Sequence, residues 1–152
     1  MLNIGDKAPN FTIPDAKGNS VSLTDFKGKK VVLWFFPKAS TPGWIIEGQG
    51  FRDEFKKFEE NNIQIIGCSA DTPIKQKKFC DRQNFQFPVL CDENHEILKA
   101  YGAWGKKKFM GREYMGISRM TYVIDKKGII EMVYEKVKVK SHARDILNEL
   151  VY

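Results

Sequence analysis

Apolar and polar positions are distributed along this chain in a pattern that predicts most of its elements. Residues 10–13 and 20–23 alternate about a polar turn over residues 15–19, which predicts an N-terminal hairpin. The run VVLWFF over residues 31–36 is apolar on both faces, the signature of a central strand covered on both sides. Phe51, Phe55 and Phe58 recur at helical spacing with Asp53, Glu54, Lys56 and Lys57 on the other faces, so a helix is expected from about residue 44 to 60. Asn61 and Asn62 suit its end. The β-branched run over residues 63–69 follows as a second buried strand, completing a βαβ unit with a parallel crossover. Asp71 or Thr72 caps the next helix, with Pro73 in its first turn. Residues 85–90 then read as a strand and 97–101 as a short helix. Residues 119–124 and 129–134 flank the turn Asp125-Lys126-Lys127-Gly128 as a hairpin. Ala143, Ile146, Leu147, Leu150 and Val151 share one face of a terminal helix. Segment 104–118 shows no usable period and stays unassigned.

Strands that alternate with helices, followed by a hairpin and a helix, predict a layered α/β sheet. That order matches a thioredoxin-like fold, a central sheet flanked by helices with an N-terminal β-hairpin extension, although periodicity alone does not separate it from other small three-layer folds. The length of 152 residues, with no repeat or linker, predicts a single domain over residues 1–152. Hydrophobic residues at 42% and charged residues at 29% are compatible with a packed interior and not with global disorder. No run approaches the roughly 20 apolar residues of a membrane helix, and the N-terminus lacks a signal-peptide pattern. No membrane association is expected.

Twenty-five Lys and Arg against nineteen Asp and Glu give a formal charge of +6, which favours anionic partners weakly. No nucleic-acid motif accompanies it, so nucleic-acid binding is not expected. Cys68, Cys80 and Cys91 are an odd number without a CxxC pair, which argues against a disulfide framework and a structural zinc site and fits a reducing cytoplasm. His95 and His142 lack ligand spacing, so no metal is expected.

The stretch WFFPKASTPGW carries the most information, because a buried strand ends there in Pro37-Lys38-Ala39-Ser40-Thr41-Pro42-Gly43-Trp44 and opens into a helix. It resembles the signature Pro-x-x-x-Thr-x-x-Cys of the peroxiredoxin Q group of peroxiredoxins, also called bacterioferritin comigratory proteins. Pro37 and Thr41 match, and Trp44 occupies the cysteine position. The resemblance extends through GDKAPNFTIPDAKG, VSLTDFKGKK, GCSADTPIKQKKFC, YMGISRMTYVIDKKG and KVKVKSHA, nearly the whole chain. It implies a thioredoxin fold and a mechanism in which the signature cysteine attacks a peroxide oxygen and becomes a sulfenic acid. The same resemblance implies hydrogen peroxide and organic hydroperoxides as substrates. Thioredoxin or a similar thiol reductant would be the electron source, no cofactor is implied, and the state would be a monomer or weak homodimer.

The chemistry requires a lowered thiol pKa, since a free cysteine near ~8.5 is mostly protonated at neutral pH. A helix N-terminus, a threonine hydroxyl and an arginine charge supply the lowering, and Thr41 and Arg119 match the family's threonine and arginine. Glu47 resembles a glutamate often present in the motif, and a loop-supporting role is expected for it. Cys80 lies in the second helix, where one subgroup of the family carries its resolving cysteine, while Gln49 holds the more common resolving position. Its alternative is a small buried residue on a helix face. Cys68 and Cys91 read as packing residues. Trp44 removes the nucleophile, because indole forms neither a thiolate nor a sulfenic acid. Three origins fit it: an authentic change, an engineered substitution, or a cysteine or selenocysteine codon decoded as tryptophan. The expected consequence is an inactive or strongly impaired peroxidase; the alternative is a catalytically dead binding module, with Trp44 stacked on Arg119.

Overall fold

The computed structural model describes residues 2–37, 42–135 and 141–151, with the side chains of residues 42–44 and 109 outside that description. Its centre is a five-stranded sheet in the order β5-β4-β3-β8-β9. The strands are β3 (Lys30–Phe35), β4 (Ile63–Ser69), β5 (Val89–Cys91), β8 (Met120–Ile124) and β9 (Ile130–Tyr134). Two hairpins lie outside it: β1 (Thr12–Pro14) with β2 (Ser20–Ser22), and β6 (Trp104–Phe109) with β7 (Arg112–Ile117). The helices are α1 (Pro42–Asp53), α2 (Phe55–Glu60), α3 (Pro73–Gln83), α4 (Glu96–Ala100) and α5 (His142–Leu150). β3, β4 and β5 run parallel, while β8 is antiparallel to both β3 and β9.

The two-sided apolar run becomes two cores. Val31, Leu33 and Phe35 pack on one face with Ile66, Leu90, Tyr101 and Tyr122. Val32, Trp34 and Phe36 pack on the other with Phe51, Phe58, Phe79, Ile146 and Leu147. The period-two alternation of a strand thus sends successive residues of β3 into opposite layers. The first layer is closed by α4 and the N-terminal hairpin, the second by α1, α2, α3 and α5. This is the mixed α/β architecture expected of a thioredoxin-like fold.

Local chemistry sets the boundaries. The Asp15 carboxylate accepts the Lys17 and Asn19 N–H groups at 2.9 Å each, closing the first hairpin turn. Thr72 is the N-cap of α3 and accepts from the Lys75 N–H. Asp92 anchors α4 by accepting the N–H groups of Glu96 and Leu98 at 3.0 and 2.8 Å. Three expectations are corrected. The helix over 44–60 is two helices, because Glu54 leaves helical geometry (φ −96°, ψ 3°), so α1 packs towards α5 and α3 while α2 lies on β4. The strand over 85–90 is paired only from Val89 to Cys91. Phe85 and Phe87 reach the core through stacked rings 4.9 Å apart, and Pro88 has no N–H to give a ladder. The unassigned segment 104–118 contains the β6–β7 hairpin, turned at Met110 and Gly111, both with positive φ (51° and 78°). Its period was illegible because residues 112–115 are all exposed and no apolar face is required.

Candidate functional site

The site is assembled where β3 ends and β8 begins. Antiparallel pairing of Phe35 with Met120 brings Pro37, just past β3, to the same edge of the sheet as Arg119, just before β8. α1 starts at this edge, so the potential of its first turn acts there together with the Arg119 charge. Trp44 belongs to the first turn of α1; its side chain, and all of Thr41, lie outside the described residues. The stacking of Trp44 on Arg119 therefore falls outside them as well.

Glu47 sits one turn into α1, 1% exposed, with neither carboxyl oxygen hydrogen-bonded among the described residues. Burial pushes its carboxyl from 4.5 up to about 8, and the Arg119 charge pulls the other way. Burial in turn lowers the Arg119 guanidinium, with Glu47 opposing. Helix α1 and the β8 edge thus place the two in electrostatic reach of each other.

Two residues join this cluster that spacing along the chain did not single out. His142, at the start of α5 and 3% exposed, holds Thr121 of β8 through a 2.8 Å bond between Nε2 and Oγ1. The Phe51 and Tyr134 rings stand nearly perpendicular to the imidazole, with centroids at 5.7 and 5.2 Å. Burial lowers the imidazole from 6.5 to about 4, Asp145 opposes and Arg119 adds to the lowering. His142 is therefore neutral at neutral pH, and Arg119 acts on both Glu47 and His142. Isolated in sequence, His142 carried no ligand or base signal; only the docking of α5 on β8 reveals its partner.

Cys80 lies apart from this cluster. It faces a cavity of about 140 Å³ shared with Asp15, Lys17, Phe85 and Phe87. It is 9% exposed, and burial pushes its thiol up to about 12. Burial likewise pushes Cys91 up to about 12 and holds Cys68 well above the ordinary thiol range. All three thiols are buried, and none has the lowered pKa of an activated cysteine. Helix α3 is nevertheless tied to α1: Gln49 Nε2 donates to Gln83 Oε1 and Arg52 Nη1 donates to the Gln83 carbonyl, each at 2.9 Å. Among the described residues no group of three or more His, Cys, Asp or Glu side chains could hold a metal, and no helix is long and apolar enough to cross a membrane. Chemically, a helix start beside a partly buried arginine can hold an anion or polarise a small oxygen compound.

Comparison with known proteins gives this geometry its context. The AhpC/TSA family profile matches residues 4–133. Peroxiredoxin Bcp of Escherichia coli is 40% identical over 149 residues, covering 98% of this chain and 96% of that protein. The crystal structure of Xylella fastidiosa PrxQ, a cysteine-to-serine mutant, superposes with a TM-score of 0.93 at 31% identity, over 99% of this chain and 96% of that one. Two further cysteine-to-serine mutants, of Xanthomonas campestris peroxiredoxin Q, superpose with TM-scores of 0.87 and 0.88 at 30% and 29% identity, each over 92% of this chain and 89% of that one. With the family profile, the relatives and the solved structures in agreement over nearly its whole length, the chain belongs to the AhpC/TSA family, in its peroxiredoxin Q/Bcp group.

Proposed function

We propose that this chain is a single-domain peroxiredoxin scaffold, built to reduce hydrogen peroxide and organic hydroperoxides with electrons from thioredoxin or a similar thiol, and silenced at position 44. The observation that carries the reading is the meeting of Pro37, Arg119 and Glu47 at the edge of the sheet where α1 begins. In this reading a thiolate at position 44 would attack a peroxide oxygen. The S–O bond would form as the O–O bond breaks, leaving the sulfur as a sulfenic acid, and the other peroxide oxygen would depart as hydroxide or alkoxide and take up a proton to give water or an alcohol. Thr41 and Arg119 would stabilise the thiolate and the developing oxyanion, and Pro37 would shape the loop. Glu47 would support the loop from inside α1.

Cys80 is proposed as the resolving thiol, condensing with the sulfenic acid to a disulfide with loss of water, which the external thiol then cleaves by exchange. The two cysteines replaced in the Xanthomonas campestris structures stand as far apart in that chain as positions 44 and 80 do here, which supports the pairing. Because burial keeps Cys80 protonated, α3 must loosen before it can react. We further propose a cytoplasmic location, a monomer or weak homodimer, and no cofactor. Trp44 itself favours a second reading, a binding module that has kept the fold and lost the chemistry.

The test is peroxide consumption with a dithiol and thioredoxin, comparing the chain with its Trp44→Cys variant. The expected result is background activity in the parent and a gain of roughly a hundredfold or more in the variant. A folded, inactive variant would favour the binding module, and equal activity in both would move the chemistry to another cysteine.

A further inference from the structure

The opposite end of the sheet holds a second cavity, which the peroxidase reading does not use. β3 and β8 run in opposite directions, and pairing of Val31 with Ile124 marks the end remote from Pro37 and Arg119. Val31 and Phe35 lie four residue steps apart along β3, about 13 Å at roughly 3.3 Å per step. The cavity there has a volume of about 290 Å³, close to the lower bound for small-molecule sites. Its floor is apolar and mostly aliphatic: Ala8, Val31 and Ile124 belong to the core, and Leu23 and Phe26 pack against it.

Its rim is cationic. Lys7, Lys27, Lys29, Lys126 and Lys127 all line the opening and are exposed. Among the described residues none of the five is in an ion pair. Asp125 is the single acid in the lining, and its Oδ1 is occupied within the turn, accepting the Lys127 and Ile129 N–H groups at 2.8 and 2.9 Å. A net positive rim over an aliphatic floor is complementary to one kind of molecule, an anion carrying a short aliphatic body.

We propose that this cavity binds a medium-chain fatty acid, with the alkyl chain against Leu23, Phe26, Val31 and Ile124 and the carboxylate among the lysines. The aliphatic floor matches an alkyl chain better than a planar base. The lysine ammonium groups act as point charges that accept a carboxylate without a fixed geometry. Burial of the chain and charge pairing of the head then act together, and the charge part weakens with salt.

The test is calorimetric titration of the full chain with decanoate at neutral pH, with decanol, inorganic phosphate and adenosine monophosphate as comparison probes. The expected result is one decanoate per chain, several-fold weaker binding at roughly 0.5 M salt, and decanol weaker by about tenfold as the charge contribution is lost. Two folded variants should each lose binding about tenfold or more: the double variant Lys126→Glu with Lys127→Glu, which reverses part of the rim, and Thr24→Trp, which fills the opening. Absence of decanoate binding overturns the proposal, as does binding unchanged in both variants. Decanol binding as tightly as decanoate would remove the role of the lysines. Phosphate competing as well as decanoate would make it a plain anion site, and a preference for adenosine monophosphate would assign a nucleotide instead.

Discussion

Glu47→Gln is the substitution whose effect the structure determines most fully. In the fold, burial raises the carboxyl from 4.5 to about 8 despite the attraction of Arg119. The folded chain therefore keeps a proton that the unfolded chain releases near pH 4.5. Between those values the native state binds more protons, so the contribution is fully present below pH 4.5 and is lost as pH rises through about 8. Each pH unit in that window removes about 1.4 kcal/mol, about 5 kcal/mol in all. His142 works in the opposite sense. Its folded value of about 4 lies below the unfolded 6.5, so its contribution is present above pH 6.5 and is lost as pH falls towards 4. The two slopes cancel between about pH 4.5 and 6.5, and the Glu47 slope is uncovered between pH 6.5 and 8, where it costs about 2 kcal/mol. Glutamine preserves the shape and removes the titration. Urea unfolding followed by tryptophan fluorescence at a series of pH values measures the difference between the two proteins. The variant should gain on the parent by about 1.4 kcal/mol per pH unit from pH 5 to 8, and the difference should be flat below pH 4.5. A difference that stays flat from pH 5 to 8 would refute the reasoning, because it would mean that Arg119 holds Glu47 ionised throughout.

Two more outcomes follow from packing and burial. A Cβ at Gly48 would come within 2.4 Å of the Phe85 ring, which is stacked on Phe87. Gly48→Ala should therefore lose about 1–3 kcal/mol to overpacking against a helix-propensity gain of about 1 kcal/mol. A lower urea midpoint is expected, and a higher one would show that α1 and the Phe85 ring can move apart. The three cysteines are buried with raised pKa values, so a chromogenic disulfide reagent at neutral pH should label none of them quickly in the native protein and all three in urea. Rapid native labelling of Cys80 would show that α3 is already open in the resting state.

Period and punctuation alone located the central strand over residues 31–36, observed as Lys30–Phe35, the strand Ile63–Ser69, the capped helix at Pro73 and the apolar stripe of α5, because in each the local pattern and the buried face agree. The motif residues Pro37 and Arg119 were legible only through resemblance, since nothing in their local spacing joins two positions so far apart in sequence. The tertiary structure decided the rest. The β6–β7 hairpin has mostly solvated faces and leaves no hydrophobic period to read. The helix break at Glu54 depends on two helices meeting different partners. The pairing of Phe35 with Met120 is what brings Arg119 to the Pro37 edge, and the docking of α5 on β8 is what gives His142 its bond to Thr121. The lysine-rimmed cavity draws its lining from segments around residues 7, 24, 29 and 126, which only the sheet assembles. A linear sequence specifies which residues favour burial and at what period. Which buried or charged groups then meet is set by strand order and register, and these are properties of the whole fold.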